Sequence, residues 1–132
     1  MYLRLLKILT MSWLSINFCI AQPSSDIAQE IVRPFQVFDN LYYVGTKTVS
    51  AWLLESDQGL ILFDSLHGEL TTLAISSIRE LGFDPDDIRY LIVSHAHYDR
   101  VGGARKFQDE FGAVVMMTEA DWNMVAEPAI DQ

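Results

Sequence analysis

Cysteine is almost absent from this sequence of 132 residues, because only Cys19 is present. Cys19 lies in an N-terminal stretch that has the features of a secretory signal. Arg4 and Lys7 provide a positively charged start, an uncharged and largely apolar stretch follows, and Cys19 and Ala21 place small residues at both positions that a signal peptidase checks. If residues 1–21 are removed as predicted, the mature chain can form no disulfide and has no thiolate for a metal ion.

Basic residues are also scarce, since nine Lys and Arg accompany eighteen Asp and Glu. The net charge is −9, and removal of Arg4 and Lys7 with the signal would make it −11. An acidic chain without a basic stripe is poorly suited to nucleic acid or to an anionic membrane, and the apolar run of the signal is too short for a comfortable membrane span. The sequence therefore predicts a secreted protein, periplasmic in a Gram-negative host, with no nucleic-acid partner and no stable membrane anchor. It does not indicate an oligomeric state.

Repeats, low-complexity tracts and long linkers are missing, and the composition is that of a globular chain. Half of the residues are hydrophobic and a fifth are charged, which suits one small domain. Residues 22–33 are polar and predict a flexible N-terminal arm, and residues 34–132 form the predicted domain. Short alternating segments between turn residues then predict a meander of strands. These strands are expected at residues 35–38, 41–45, 49–55 and 60–64.

The hydrophobic period changes after residue 64. Apolar residues from Leu70 to Leu81 recur at helical spacing, and Gly82 is a natural helix stop. The following elements are predicted as a strand at 88–94, a helix at 104–111, a strand at 113–117 and a helix from a capping box at 118–121 through 125. The pattern predicts an α/β fold of the α+β type, with helices on one face of a sheet. The last two strands have no polar side, so the other face must also be covered, and Met116, Met117 and Met124 are expected to fill the core.

The segment after the strand at 88–94 contains two histidines and an aspartate, each two positions apart. Side chains two residues apart leave the same face of an extended backbone, about 6.6–6.8 Å apart along the chain. His95, His97 and Asp99 can therefore point to one side and converge when the backbone curls. Two imidazoles and a carboxylate suit a zinc ion, and α/β folds place their chemistry at the C-terminal ends of buried strands. The alternative is a pair of solvated loop histidines with an aspartate in a turn.

Residues 95–103, which read HAHYDRVGG, resemble the signature of the metallo-β-lactamase superfamily, His-x-His-x-Asp-His followed shortly by Gly-Gly. Residues 41–68 resemble the paired N-terminal strands of that fold, and residues 81–94 resemble the approach to its metal loop. The details are most similar to the β-lactamase subclass whose second zinc is held without a cysteine. The resemblance implies an αββα sandwich of which this chain carries the N-terminal half, so the domain at 34–132 is expected to stop before its second half.

The resemblance implies a zinc-dependent hydrolase, most similar in the complete protein to a β-lactamase that opens a lactam amide with zinc-bound hydroxide. It implies a small-molecule substrate, with β-lactams preferred. His95 and His97 become ligands of the first zinc, together with a histidine from the second half. Asp99 becomes a ligand of the second zinc and a catalytic residue that orients the hydroxide or moves a proton. Two alternatives stay open: a superfamily hydrolase of thioesters, lactones or phosphoesters, and an inactive truncated fragment that binds zinc weakly at most.

Three further residues bear on this site. Arg100 stands where the subclass has a histidine ligand, and a guanidinium stays protonated. If Arg100 points inward, at about 6 Å from a dication, the repulsion is roughly 5 kcal/mol at an effective dielectric constant of 20. If it points outward, there is no such penalty. One or two zinc ions are therefore expected, with the second disfavoured. Asp99 could instead pair with Arg100 or Arg105. By resemblance Asp64 holds the metal loop through hydrogen bonds, or it is simply a turn residue, and His67 is either a further ligand or an ordinary loop histidine.

Overall fold

The computed structural model describes residues 25–126, and the predicted signal peptide at residues 1–21 lies outside them. Six strands form one mixed sheet in which every strand lies beside its neighbours in the sequence. They are β1 (Phe35–Phe38), β2 (Leu41–Tyr43), β3 (Trp52–Ser56), β4 (Gly59–Phe63), β5 (Ile88–Ile92) and β6 (Val114–Met116). The first four strands pair antiparallel, whereas β4, β5 and β6 pair parallel. This architecture confirms the predicted fold class.

Five α-helices accompany the sheet in the described residues. They are α1 (Ser25–Glu30), α2 (Gly68–Glu80), α3 (Tyr98–Val101), α4 (Ala104–Phe111) and α5 (Glu119–Ala126). α2 and α4 end shortly before glycines with a left-handed backbone, Gly82 with φ +90° and Gly112 with φ +69°, where other residues would be strained. Between residues 25 and 126, no helix is both long enough and apolar enough to cross a membrane.

The segment predicted as a flexible arm contains α1 and is tied to the loop between β2 and β3. The Glu30 carboxylate accepts hydrogen bonds from Thr48 N (3.1 Å), Thr48 Oγ1 (2.6 Å) and Thr46 Oγ1 (3.2 Å). The hydrogen bond from the Thr48 hydroxyl is the main cause that lowers the pKa of Glu30. These partners lie 16 and 18 positions from Glu30, so the polar composition of the segment could not reveal them.

One face of the sheet carries the hydrophobic core. Leu53, Leu62 and Leu91 lie side by side across β3, β4 and β5, and all three are fully buried. They form one cluster with Ile78 of α2 and Phe107 of α4. The apolar stripes of these helices therefore cover this face, as their spacing predicts.

The opposite face carries a second apolar row that runs in register across β3 to β6. Its members are Trp52, Phe63, Ile92 and Met116. None of the four is buried, and Met116 is 47% exposed. Met124 of α5 is also exposed. The expectation that they fill the core is therefore wrong for Met116 and Met124, because both side chains lie outside the helix-covered core. Met117 is partly buried and packs against the core cluster, as expected.

Candidate metal centre

The candidate metal site lies where the chain leaves β5. The chain forms an irregular stretch at residues 94–97, which we call the metal loop, and α3 then begins. His95 and His97 lie on the metal loop, and Asp99 lies in the first turn of α3. The C-terminal ends of the parallel strands β4, β5 and β6 meet at this edge of the sheet. Open α/β sheets bind their ligands at such edges.

The structure brings the three predicted residues together, and we call these candidate ligands the ligand group. His95, His97 and Asp99 each offer a ligand atom, and these atoms all lie within 4.8 Å of one another. The two imidazole rings meet edge to face, with centroids 4.6 Å apart and planes at 82°. None of the three residues is buried, so solvent reaches the point between them. The convergence arises from a loop and a helical turn, and not from the extended strand that the spacing suggested.

The donor set fits a zinc ion in chemistry and nearly in size. Zinc accepts imidazole nitrogens and carboxylate oxygens at about 2.0–2.2 Å, which places two ligand atoms of one ion no more than about 4.4 Å apart. The present separations of up to 4.8 Å therefore require a closure of about 0.4 Å at most. Rotation of side chains that are not packed in the core can provide this movement.

Asp64 follows β4 and holds the metal loop from the side of the sheet. It is buried and has a φ of +63°, a conformation that aspartate adopts more readily than most residues. Its carboxylate accepts hydrogen bonds from the Ser94 N–H (2.7 Å) and the Ser94 hydroxyl (2.9 Å), and Ser94 Oγ lies 3.1 Å from His95 Nδ1. With the hydroxyl donating to Asp64, the serine oxygen accepts from Nδ1–H, which leaves Nε2 of His95 for a metal ion.

Arg100 points inward, toward the carboxylates of Asp64 and Asp99. Its Nη1 donates to Ser50 O (3.1 Å) and Ser50 Oγ (2.9 Å) and lies 3.4 Å from Asp64 Oδ2. Its Nε lies 3.2 Å from Asp99 Oδ2, but the N–H is not directed at that oxygen, so Nε makes no hydrogen bond among the described residues. The contact with Asp99 is therefore an ion pair without a hydrogen bond. Of the two arginines considered as partners of Asp99, the structure brings Arg100 to it, and Arg105 pairs elsewhere.

Gly103 lets the start of α4 approach the segment after β4. The Gly103 N–H donates to Leu66 O (2.8 Å) and Ser65 Oγ (3.1 Å), and the Ser65 hydroxyl donates to Arg100 O (2.8 Å). A Cβ atom at Gly103 would overlap the Ser65 carbonyl oxygen and the Thr71 hydroxyl. Asp64, Ser65, Arg100 and Gly103 lie behind the metal loop, and Ser94 is the loop residue that is bound to Asp64. We call these five residues the inner frame.

His67 lies apart from the ligand group. It immediately precedes α2, and its ring contacts the Tyr98 ring, with centroids 5.0 Å apart. Within residues 25–126, the residues whose ligand atoms converge are His95, His97 and Asp99, and His67 is not among them. The structure therefore gives His67 a packing contact at the start of α3.

The sequence pattern does not reveal a contact between α5 and the metal loop. Asp121 Oδ1 accepts a hydrogen bond from the N–H of Ala96 (3.0 Å), the residue between the two histidines. Asp121 Oδ2 accepts from the Thr118 hydroxyl, and the Asp121 N–H donates to Thr118 Oγ1 (3.2 Å). The Thr118 hydroxyl is the main cause that lowers the pKa of Asp121; burial opposes it, and the Ala96 N–H and the nearby His95 and His97 lower the pKa further. The capping box is visible in the sequence, but its partner 25 residues earlier is not.

Comparison with known proteins identifies the family. A family model for the metallo-β-lactamase superfamily matches residues 44–131. A motif mutant of the metallo-β-lactamase from Cronobacter sakazakii (Enterobacter sakazakii) aligns with a TM-score of 0.69 and 36% identity over 71% of this chain and 37% of that one. BJP-1, a subclass B3 metallo-β-lactamase of Bradyrhizobium japonicum, aligns with a TM-score of 0.70 and 35% identity over 73% of this chain and 36% of that one. MEM-A1, a subclass B3 metallo-β-lactamase from a soil metagenome library, aligns with a TM-score of 0.71 and 34% identity over 77% of this chain and 39% of that one.

The present chain spans less than two fifths of each of these three structures. The shared part is the N-terminal half of the metallo-β-lactamase fold, which contains the mixed sheet and the metal loop. The family model covers most of the chain, including all three residues of the ligand group. From its sequence and its fold, the chain belongs to the metallo-β-lactamase superfamily.

Proposed function

We propose that the complete protein is a zinc-dependent hydrolase of a small molecule, and that a β-lactam is its substrate. The observation that carries the proposal is the convergence of His95, His97 and Asp99 at a solvent-accessible edge of the sheet. The family and the subclass B3 β-lactamases among its structural relatives support hydrolysis of an amide. A bound zinc ion would lower the pKa of a water molecule to about 7 and polarise the carbonyl group of the substrate.

In this proposal, the residues of this chain bind the zinc ion and orient the reacting water molecule. His95 presents Nε2 because its Nδ1 faces Ser94, and the His97 ring stands beside it. Asp99 is the proposed catalytic residue, since its carboxylate reaches the same point and can orient a water molecule or accept its proton. Arg100 Nε, 3.2 Å from Asp99 Oδ2, restrains the position of that carboxylate.

We propose further that the site holds one zinc ion tightly and that Arg100 weakens a second site. A second ion would take Asp99 as a ligand. An ion about 2.1 Å from Asp99 Oδ2 would lie no more than about 5.3 Å from Arg100 Nε, because those two atoms are 3.2 Å apart. The repulsion at that distance is roughly 6 kcal/mol at an effective dielectric constant of 20, before the nearby carboxylates offset part of it. Arg100 cannot turn away without losing its hydrogen bonds to Ser50.

Calorimetric titration of the metal-free protein with zinc tests the ligands and the metal count. We expect one tight equivalent, which His95→Ala and His97→Ala remove. Arg100→His is the matched variant for the second site, and it is expected to add a second equivalent. Two tight equivalents in the wild-type protein would contradict the single-ion proposal, and unchanged binding in His97→Ala would contradict the ligand assignment.

Turnover of nitrocefin and of a carbapenem by the complete protein tests the substrate. We expect hydrolysis that a chelator abolishes and added zinc restores. Zinc-dependent hydrolysis of thioesters, lactones or phosphoesters, with no lactam turnover, would favour another superfamily hydrolase. Weak zinc binding at most, with no turnover of any of these substrates, would favour the inactive alternative.

We propose that the protein is exported to the periplasm of a Gram-negative host. The positive start and the uncharged apolar stretch within residues 1–21 support this proposal. Cell fractionation followed by N-terminal sequencing is the test, and a periplasmic product that begins at Gln22 is expected. A cytoplasmic product that keeps Met1 would contradict it.

A further inference from the structure

The metal loop is held by two carboxylates that come from different elements. The backbone amides of residues 94–97 donate two hydrogen bonds within the described part of the chain, one from Ser94 to Asp64 Oδ1 (2.7 Å) and one from Ala96 to Asp121 Oδ1 (3.0 Å). These two amides flank His95, and the second also precedes His97. The loop has no helix or strand pairing of its own. Its last residue is tied to α3, because the His97 carbonyl accepts from the N–H groups of Arg100 and Val101, and the two amide contacts position the part of the loop that precedes it.

Asp121 does not act as an ordinary capping-box residue. In a capping box, the acid three positions after the cap reaches back to the backbone N–H of the capping residue. Here Asp121 Oδ2 accepts from the Thr118 hydroxyl, and Oδ1 is directed at Ala96, 25 residues earlier. The Asp121 N–H donates to Thr118 Oγ1 in return (3.2 Å). The carboxylate is thus oriented by its own helix and used by the metal loop.

We infer that Asp121 is a positioning residue for the metal centre. By accepting the Ala96 N–H, its carboxylate fixes the part of the metal loop between His95 and His97 and keeps the two imidazoles converged. Asp64 holds the loop at Ser94, on the side of the sheet, and Asp121 holds it on the side of α5. The inference deepens the proposed function, because it depends on His95 and His97 being the metal ligands.

Three substitutions separate the hydrogen bond from the charge and from the helix cap. Asp121→Ala removes the acceptor, whereas Asp121→Asn keeps an oxygen for Ala96 and removes the charge. Glu119→Ala is the matched control, since it removes one negative charge from the same helical turn at an exposed position. Zinc affinity of the full chain is measured by competition with a chromophoric chelator. We expect Asp121→Ala to bind zinc roughly 10-fold to 100-fold more weakly, as loss of a supporting hydrogen bond usually does, and the other two variants to bind like wild type.

Two further readouts do not depend on zinc affinity. In the metal-free chain, hydrogen exchange of the Ala96 amide, followed by NMR, should be roughly 10-fold to 100-fold faster in Asp121→Ala, because a hydrogen bond to a charged acceptor is lost. It should stay close to the wild-type rate in Asp121→Asn. The visible spectrum of the cobalt-substituted chain reports ligand geometry, and it should change in Asp121→Ala and not in Glu119→Ala.

The outcomes separate this inference from the proposed function. Wild-type zinc affinity together with a wild-type rate of Ala96 exchange in Asp121→Ala would overturn the inference. Zinc binding by Asp121→Asn that is as weak as that of Asp121→Ala would also overturn it, because the charge and not the hydrogen bond would then matter. If Asp121→Ala does not fold, Thr118→Val decides, because it removes the group that orients the carboxylate; unchanged affinity in Thr118→Val would also overturn the inference. Wild-type binding in His97→Ala would instead refute the ligand assignment, and the Ala96 exchange rates would still decide whether Asp121 holds the loop.

Discussion

The inner frame and the ligand group adjoin each other, yet the fold holds them in different ways. Asp64 and Ser65 are buried, and Gly103 has no room for a side chain. His97 is exposed, and the adjacent Tyr98 is 68% exposed. The difference predicts that substitutions in the inner frame reduce stability and that substitutions in the ligand group affect metal binding, because rigid supporting residues position ligands that must themselves remain accessible.

The two carboxylates that pair with Arg100 show the same division. The Asp64 side chain is 8% exposed and the Asp99 side chain is 41% exposed. Asp64 is further bound by the N–H and the hydroxyl of Ser94, whereas Asp99 belongs to the ligand group. One arginine therefore joins a structural carboxylate to a carboxylate that is available for a metal ion.

The largest effect on stability is expected from Asp64→Ala. It removes the buried carboxylate and leaves Arg100 and the Ser94 N–H without that partner. We expect the free energy of unfolding of the metal-free chain to fall by about 3 kcal/mol, as when a buried ion pair loses one member. Asp99→Ala is the matched control, because it removes the more exposed partner of the same arginine, and a loss below about 1 kcal/mol is expected. Equal losses in urea unfolding would remove the distinction between frame and ligand.

Gly103→Ala should have the next largest effect. The added methyl group would overlap the Ser65 carbonyl oxygen and the Thr71 hydroxyl, and overpacking of this kind costs about 1–3 kcal/mol. Gly82→Ala serves for comparison, because nothing lies within 4 Å of its Cβ position and only the φ of +90° opposes the substitution. Thermal unfolding should show a larger loss for Gly103→Ala. A smaller loss than in Gly82→Ala would show that the inner frame can relax.

The smallest effect on stability is expected from His95→Ala. In the metal-free chain the free energy of unfolding should stay within about 0.5 kcal/mol of wild type, as for most substitutions away from the core. Zinc should raise the melting temperature of the wild-type chain, since a ligand that binds only the folded state stabilises it, and it should not raise that of His95→Ala. Paired melts with and without zinc measure both. A large loss in the metal-free variant would place His95 in the inner frame.

Most of the secondary structure was predictable because it depends on local pattern. The strand at Phe35–Phe38 and the helix at Ala104–Phe111 have the predicted bounds, since turn residues and Gly112 mark their ends. β2 and β3 are shorter than predicted, because residues 44–51 form a loop that Glu30 binds. α1 and α3 were not predicted, as neither is long enough to show a helical period.

The ligand group was predictable as a motif, whereas its supports were not. The hydrogen bonds of Asp64 to Ser94, of Arg100 to Ser50 and of Asp121 to Ala96 join residues 30, 50 and 25 positions apart. Spacing along the chain does not show which distant segments pack together. The sequence does not show whether Arg100 points inward or outward. Ser50, for which no role was predicted, is one of the residues that hold it inward.

The strand order of the sheet also indicates which contacts depend on the last helix. Each of the six strands lies beside its neighbours in the sequence, so the strands that precede His95 and His97 pair with one another without any later segment. Asp121 lies on α5, after the sixth strand. A variant shortened after β6 would keep both imidazoles and would lose the carboxylate that accepts the Ala96 N–H.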